Sequence, residues 1–440
     1  MPKATPRTKP APVKLPPALE AIADSVIETK LPNGLKIRLL PNDSVPTCSY
    51  YTFFKVGARN ERPGITGISH LFEHMMFNGA KKYGPGMFDK VLESNGGSSN
   101  AYTSNDLTVY YEDFMAEALE TVIDLESDRM RSLAVTPKLL ESERQVVMEE
   151  RRLRVDNEIA GMMDEELGAL VYKAHPYRWP VIGWMRDIEN ISREDCLEYF
   201  RTYYAPNNAT VYVAGDFDPK HAIALIKKYY GGIKAGPPVP GVLDAEPEQK
   251  GERRADVHHP AQAYSLMIAW RGPKGDDRDT FALDVVQYAL SVGQSSRLNK
   301  RLVYELEVAV GVSVDWTWRF DPGTFTVGLE LKPGGRPADA EAALYGELER
   351  LGRDGIDARE LEKAKNNLAA TLMRELATNS GRAHALGTYE LMLGDWRRGL
   401  ALPSAYESIT ADDVKRVVQK YLGKERRNVV TLVPTNGVEA

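Results

Sequence analysis

The feature that most constrains this 440-residue chain is that its end repeats its middle. The stretch from Ile191, ISREDCLEYFRTYYAPNNATVYVAGD, resembles the one from Ile409, ITADDVKRVVQKYLGKERRNVVTLVPTN, 218 residues later. In both, Ile precedes a Ser or Thr that can cap a helix. An acidic first turn then complements the helix dipole, and an amphipathic run extends to Tyr203 or Tyr421. A β-branched strand follows, Thr210 to Val213 in one copy and Val429 to Val433 in the other. A second echo joins TPKLLESERQVV, from Thr136, to DARELEKAKNNL, from Asp357, each a capped start to a charged helix. A helix-then-strand unit closing each half predicts an internal duplication. The expected fold is α+β, with two homologous domains, each an antiparallel-rich sheet with helices packed on one face.

Composition breaks the chain at the matching places. Residues 1–24 open with a Pro-rich basic tract, read as an extended tail because Pro fixes φ and lacks a donor. Strand-like alternation begins near Glu28, with Asn33-Gly34 as a turn. The Gly-, Pro- and charge-rich segment around 231–254 has no apolar period and reads as a connection. The expected domains are therefore 25–235 and 255–440, joined by a linker at 236–254. Fifty-six basic against 62 acidic residues leave a net charge of −6, which supplies no global field for a polyanion, so nucleic acid is not an expected partner. No apolar run reaches the length of a membrane span, and none is expected. Cys48 and Cys196 are isolated in sequence and read as packing residues.

Chemistry concentrates in GITGISHLFEHMMFNG. On a helix, His70, Glu73 and His74 fall on one face, while Ile68, Leu71, Phe72, Met75 and Met76 fill the other. Two His at i and i+4 can both reach one Zn²⁺, which then needs a third protein ligand and keeps one place for water. The order His-x-x-Glu-His is the inverse of the zincin order. Glu73 cannot easily share the metal with both His and is better placed to take a proton from water. The same three residues would also suit a solvated polar face without metal. A third ligand is expected on the helix opened by Thr136-Pro137, where Glu143 and Glu150 lie two turns apart on one face. Either could ligate, leaving the other to orient an imidazole. Spacing alone does not choose among Glu141, Glu143, Glu149 and Glu150.

HLFEHMMFNG followed by ESERQVVMEE resembles the pitrilysin or insulinase family of zinc metallopeptidases, in particular the short-chain branch that includes the mitochondrial processing peptidase. NGGSSNAYTSNDLTVYY, HPYRWPVIGW and NNATVYVAGDFDP agree, so the resemblance runs from about residue 28 to 436. It implies half of a clamshell, one Zn²⁺ per chain on His70, His74 and Glu150, Glu73 as general base and Glu143 as a supporting carboxylate. It also implies an edge strand where Asn100, Ala101 and Tyr102 bind a peptide substrate; from sequence alone, a buried hairpin fits that stretch equally. His175, beside Pro176, reads as a packing or hydrogen-bonding residue, and His258-His259 has no partner at helical spacing.

One departure matters. Active members carry an Arg and, seven residues later, a Tyr after Ser-Arg-Leu in the second half. Aligning on Ser296-Arg297-Leu298 puts Val303 and Val310 at those positions, with Arg301 and Tyr304 out of register. The expectation is a zinc endopeptidase subunit that hydrolyses peptides with zinc-activated water. It would need a homologous second subunit carrying Arg and Tyr, with a homodimer open to it when alone. The alternative is a non-catalytic docking subunit that retains a zinc site. Nothing at the N-terminus reads as an export signal, which suggests the cytoplasm for the sequence as it stands and the periplasm if a signal peptide was removed.

Overall fold

A computed structural model describes residues 15–242 and 246–435. The first sheet comprises Ile27–Lys30 (β1), Lys36–Pro41 (β2), Thr47–Phe54 (β3), Ser98–Thr103 (β4), Thr108–Met115 (β5) and Ala209–Gly215 (β6), in the order β1-β2-β6-β3-β5-β4. The second comprises Arg253–His259 (β7), Ser265–Arg271 (β8), Ala309–Thr317 (β9), Thr324–Leu331 (β10) and Asn428–Pro434 (β11), in the order β7-β11-β8-β10-β9. Leaving β1 aside, the second order reproduces the first strand for strand. Even the one parallel pairing recurs, β2 with β6 and β7 with β11. The duplication read from two short echoes thus extends to the whole topology.

The first half carries helices Pro17–Ser25 (α1), Ile68–Met75 (α2), Met87–Ser94 (α3), Leu119–Ser132 (α4), Pro137–Arg151 (α5), Ile159–Val171 (α6), Met185–Asn190 (α7), Arg193–Tyr203 (α8) and Pro219–Tyr230 (α9). The second carries Arg278–Ser291 (α10), Pro337–Asp354 (α11), Ala358–Glu375 (α12), Asn379–Leu393 (α13), Trp396–Leu400 (α14), Leu402–Glu407 (α15) and Ala411–Tyr421 (α16). The echoed helices α8 and α16 start alike. Ser192 accepts from Asp195 N and Thr410 from Asp413 N, and each aspartate reaches back to its cap, closing a capping box. Thr136 and Asp357 cap α5 and α12 in the same way, through a side-chain oxygen.

The halves exchange a helix. On α6, Met163, Leu167 and Val171 pack against Ala269, Val430 and Leu432 of the second sheet. Its counterpart α13 lies on the first sheet, with Ala383 and Leu386 in the cluster that holds Tyr51, Phe53 and Tyr212. Gly387 permits this approach: a Cβ there would sit 2.2 Å from the Phe53 ring. Each sheet therefore has its own half's helices on one face and the other half's helix on the second. Polar contacts add to the joint. Glu390 accepts from Arg38 at 2.8 Å and from Tyr212 OH at 2.6 Å, so the buried carboxylate is paired. His175 Nε2 lies 3.1 Å from Asp321, which also meets Arg59, and Tyr177 OH donates to Asp106 at 2.6 Å. This is the hydrogen-bonding role expected of His175.

Two boundary expectations are corrected. The tail assigned to 1–24 contains α1: Pro17 occupies the first helical turn, where no donor is needed, and the Pro-free LEAIADS continues the helix, burying Leu19. Residues 1–14 lie outside the described residues. The linker assigned to 236–254 already contains the start of β7 at Arg253, and it is tied down where Glu246 accepts from the backbone N–H of Lys173, Ala174 and His175. Residues 243–245 also lie outside the described residues. No helix among the described residues is long and apolar enough to cross a membrane.

Candidate metal centre

Helix α2 is held at both its start and its inner face. Glu61 accepts from Gly67 N and Ser69 N at 2.9 Å each, satisfying two donors of the first turn. Gly67 has φ +88°, and a Cβ there would meet Ile182 O at 2.3 Å, so glycine is required where the helix meets the 182–183 loop. Ile68, Leu71, Phe72, Met75 and Met76 are all buried, as the helical period predicts, with Phe72 packed between Tyr199 and Tyr204. The opposite face presents His70, Glu73 and His74. Helix α5 buries Leu140, Val147 and Met148, which turns Glu143 and Glu150 toward α2. Arg151 fastens the pair by donating to Gly183 O at 2.7 Å.

The geometry selects among the acidic candidates. His70, His74 and Glu150 each offer a ligand atom, and these atoms all lie within 4.8 Å of one another. Glu150 Oε2 is 3.6 Å from His70 Nε2 and 3.2 Å from His74 Nε2. Glu143 Oε2 sits 3.5 Å from His74 Nδ1, on the far side of that ring. Glu141 and Glu149 point to solvent and pair with Arg144 and Arg152. Sequence reasoning missed Arg154, which holds Glu150 Oε1 at 3.0 Å and leaves Oε2 to the imidazoles. Its i, i+4 spacing from Glu150 was the available signal.

The ionisable groups of the cluster shift in opposite directions. Burial and the His74 charge hold His70 below the ordinary histidine range. Burial would lower His74 too, but Glu143 and Glu150 override it and raise His74 to about 9. The two carboxylates are lowered, His74 being the largest cause for each. Burial raises Glu73, with Thr103 at the end of β4 opposing it. His70 Nδ1, Glu73 Oε2 and Glu150 Oε2 are buried with no hydrogen-bond partner in the protein. Of these, Glu150 Oε2 is the atom that faces both imidazoles, and a divalent cation held between them would satisfy it.

Strand β4 lies at the sheet edge beside this cluster. Asn100 and Ala101 belong to that edge, and Asn100 Oδ1 accepts from Ala101 N at 2.8 Å. Tyr102 is committed elsewhere, its OH lying 3.0 Å from His384 Nε2 on α13. In the second half, residues 299–305 form a helical segment with i to i+5 bonds. Val310, on the outer strand β9, is 55% exposed, and Val303 is half-buried against the core. Arg301 is paired with Glu305 at 3.0 Å, and Tyr304 is exposed. Cys48 and Cys196 are buried and unpaired, and His258 and His259 lie on β7, away from the cluster.

A duplicated α+β chain with two imidazoles and a carboxylate converging from an inverted motif has the architecture of the insulinase-type zinc peptidases, and comparison with known proteins agrees. The insulinase profile of peptidase family M16 matches residues 37–183, and the M16 inactive-domain profile matches 190–368. The zinc protease PqqE of Helicobacter pylori is 32% identical over 412 residues, 92% of either chain. The probable mitochondrial-processing peptidase subunit beta of Arabidopsis thaliana is 26% identical, over 90% of this chain and 76% of its own. A crystal structure of a protease from Helicobacter pylori superposes with a TM-score of 0.89 at 30% identity, covering 93% of this chain and 99% of that one. The periplasmic protease PqqL of Escherichia coli shares the fold at a TM-score of 0.76 and 20% identity. There it covers 93% of this chain but 48% of that one, so the same fold accounts for half of a longer chain. The chain belongs to peptidase family M16, the insulinase family.

Proposed function

We propose that this chain is the zinc-carrying subunit of a two-subunit M16 endopeptidase. The observation that carries the reading is the convergence of one ligand atom each from His70, His74 and Glu150 to within 4.8 Å of one another, with Glu73 on the same helix face. His70, His74 and Glu150 would hold Zn²⁺, which when bound supplies Lewis acidity toward a peptide carbonyl and a water molecule. Glu73 accepts the proton of the attacking water and delivers it to the leaving amine. Its raised affinity for a proton, caused by burial, suits that relay. Glu143 fixes the His74 ring from its Nδ1 side. The open edge of β4 offers main-chain pairing to an extended peptide, through Asn100, Ala101 and the backbone of Tyr102.

Val303 and Val310 offer no donor to a developing oxyanion. That supports a partner of homologous fold which brings an Arg and a Tyr to the cleft. The relative named as a peptidase beta subunit and the double-length PqqL chain fit such pairing. The test is peptide cleavage by the assembled enzyme with and without Glu73→Gln. We expect a loss of about 10²-fold or more with zinc retained. Activity within a few-fold of the parent would remove Glu73 from the mechanism, and a docking subunit that keeps zinc only for stability would show no dependence on Glu73.

A further inference from the structure

By position in the duplication, α10, α12 and β9 are the counterparts of α2, α5 and β4. Among the described residues the second half has no His cluster between its two helices; it has a cavity of about 340 Å³. Asp284 and Tyr288 line it from α10, Glu375 from α12 and Tyr389 from α13; Trp318, just past β9, and Tyr406 of α15 complete it. The volume is within the range of small-ligand sites. No Lys, Arg or His belongs to the lining.

The chemistry of the lining is specific. Asp284 is buried, and each carboxyl oxygen takes one donor: Trp318 Nε1 on Oδ1 and Tyr406 OH on Oδ2, both at 3.0 Å. Those donors orient the carboxyl without neutralising it, and no cation among the described residues pairs with it. The Trp318 and Tyr389 rings stand 6.3 Å apart at 56°, so they present two inclined faces rather than a stack. Inclined aromatic faces with a desolvated carboxyl and a second carboxyl at the mouth suit a cation with an apolar stem. A metal ion is less suited, because only two lining groups are carboxyls and one of them, Asp284, already takes a donor on each oxygen.

We propose that this cavity binds an organic cation, an alkylammonium or alkylguanidinium, whether a free amine or the side chain of a Lys or Arg in a peptide. The charged head sits against the pair of Trp318 and Tyr389 and against Asp284, and the stem runs out past Glu375. Burial raises the Asp284 carboxyl to about 8, with nearby Asp315 adding to the effect. The other groups facing it are Glu375, itself raised by burial, and the tyrosines 288, 389 and 406. Cation binding near neutral pH therefore expels the Asp284 proton. Arg374 stands at the mouth, donating to Thr371 at 2.8 Å, and opposes entry of like charge.

The test is calorimetric titration of the full-length chain with agmatine and with acetyl-Ala-Arg-Ala-amide, each in two buffers of different ionisation heat. Acetyl-Ala-Gln-Ala-amide serves as the neutral control. We expect saturable binding at or below ~1 mM with proton release. Asp284→Asn should weaken it by ~10-fold or more and abolish the proton release. Glu375→Gln should weaken it less, and Arg374→Ala should strengthen it, so two surface variants bear on the site even if Asp284→Asn fails to fold. Tighter binding of the peptide than of agmatine assigns the site to a peptide side chain, and the reverse to a free amine. No saturation with either probe, equal binding of the Gln peptide, or affinity unmoved by Glu375→Gln and Arg374→Ala would overturn the proposal.

Discussion

The two halves share one strand order, one parallel pairing and one set of capped helices, yet the space between corresponding helices is filled in opposite ways. Between α2 and α5 stand two imidazoles and the carboxyls of Glu73, Glu143 and Glu150; between α10 and α12 stand aromatic rings with the carboxyls of Asp284 and Glu375. The backbone therefore specifies a cleft, and a handful of side chains on two helices specify its chemistry. The exchange of α6 and α13 shows why the second half is indispensable even without metal ligands: each sheet needs the other half's helix to cover its second face.

The comparison can be broken most sharply at the catalytic level. If the second half has lost its contribution to transition-state binding through Val303 and Val310, the chain alone should cleave peptides about 10²- to 10³-fold more slowly than the complex with a homologous subunit that carries Arg and Tyr. Full turnover by the isolated chain would show that Tyr304, or some other group, does this work. A smaller effect tests the joint. Gly387→Leu drives a side chain into the Phe53 ring, and we expect roughly 1–3 kcal/mol of destabilisation, read by denaturant unfolding as a shift in midpoint. An unchanged midpoint would mean that α13 can lift from the first sheet at little cost.

The smallest effect, reckoned per pH unit, distinguishes the two clefts by their protons. Asp284 has a folded pKa of about 8 against an ordinary value of 3.8, so between those values the folded chain holds a proton that the unfolded chain has lost. Its contribution is complete below about pH 4 and declines as pH rises to about 8, at most about 1.4 kcal/mol per pH unit. Thermal unfolding of Asp284→Asn across that window should lack this slope, and a parallel profile would place the carboxylate in a charge-tolerant environment.

How far the sequence spoke for the structure follows the same division. The duplication was legible because capping and apolar period are local: Ser192 and Thr410, seven buried residues of α8 and α16, and the strands that follow all obey nearest-neighbour rules. His70 and His74 were legible for the same reason, being one turn apart on one helix. The choice of Glu150 over Glu141, Glu143 and Glu149 was not. It depends on how α5 lies against α2, a tertiary fact set by Leu140, Val147 and the grip of Arg151 on Gly183 O. The helix exchange left no trace in local pattern, since an apolar face does not record whose sheet it covers. Helix α1 was hidden by the prolines before it, although Pro17 is tolerated at a first turn. The aromatic cavity draws its members from α10, α12, α13, α15 and the turn after β9, and no spacing rule joins them.

The central claim is that one of two equivalent clefts holds the metal. Zinc content of the full-length protein, purified without chelator and measured by elemental analysis, tests it most directly in the parent, His74→Ala and Asp284→Asn proteins. We expect one zinc per chain in the parent and in Asp284→Asn, and close to none in His74→Ala. Zinc near zero in the parent, or retained at one per chain in folded His74→Ala, would contradict the assignment of His70, His74 and Glu150.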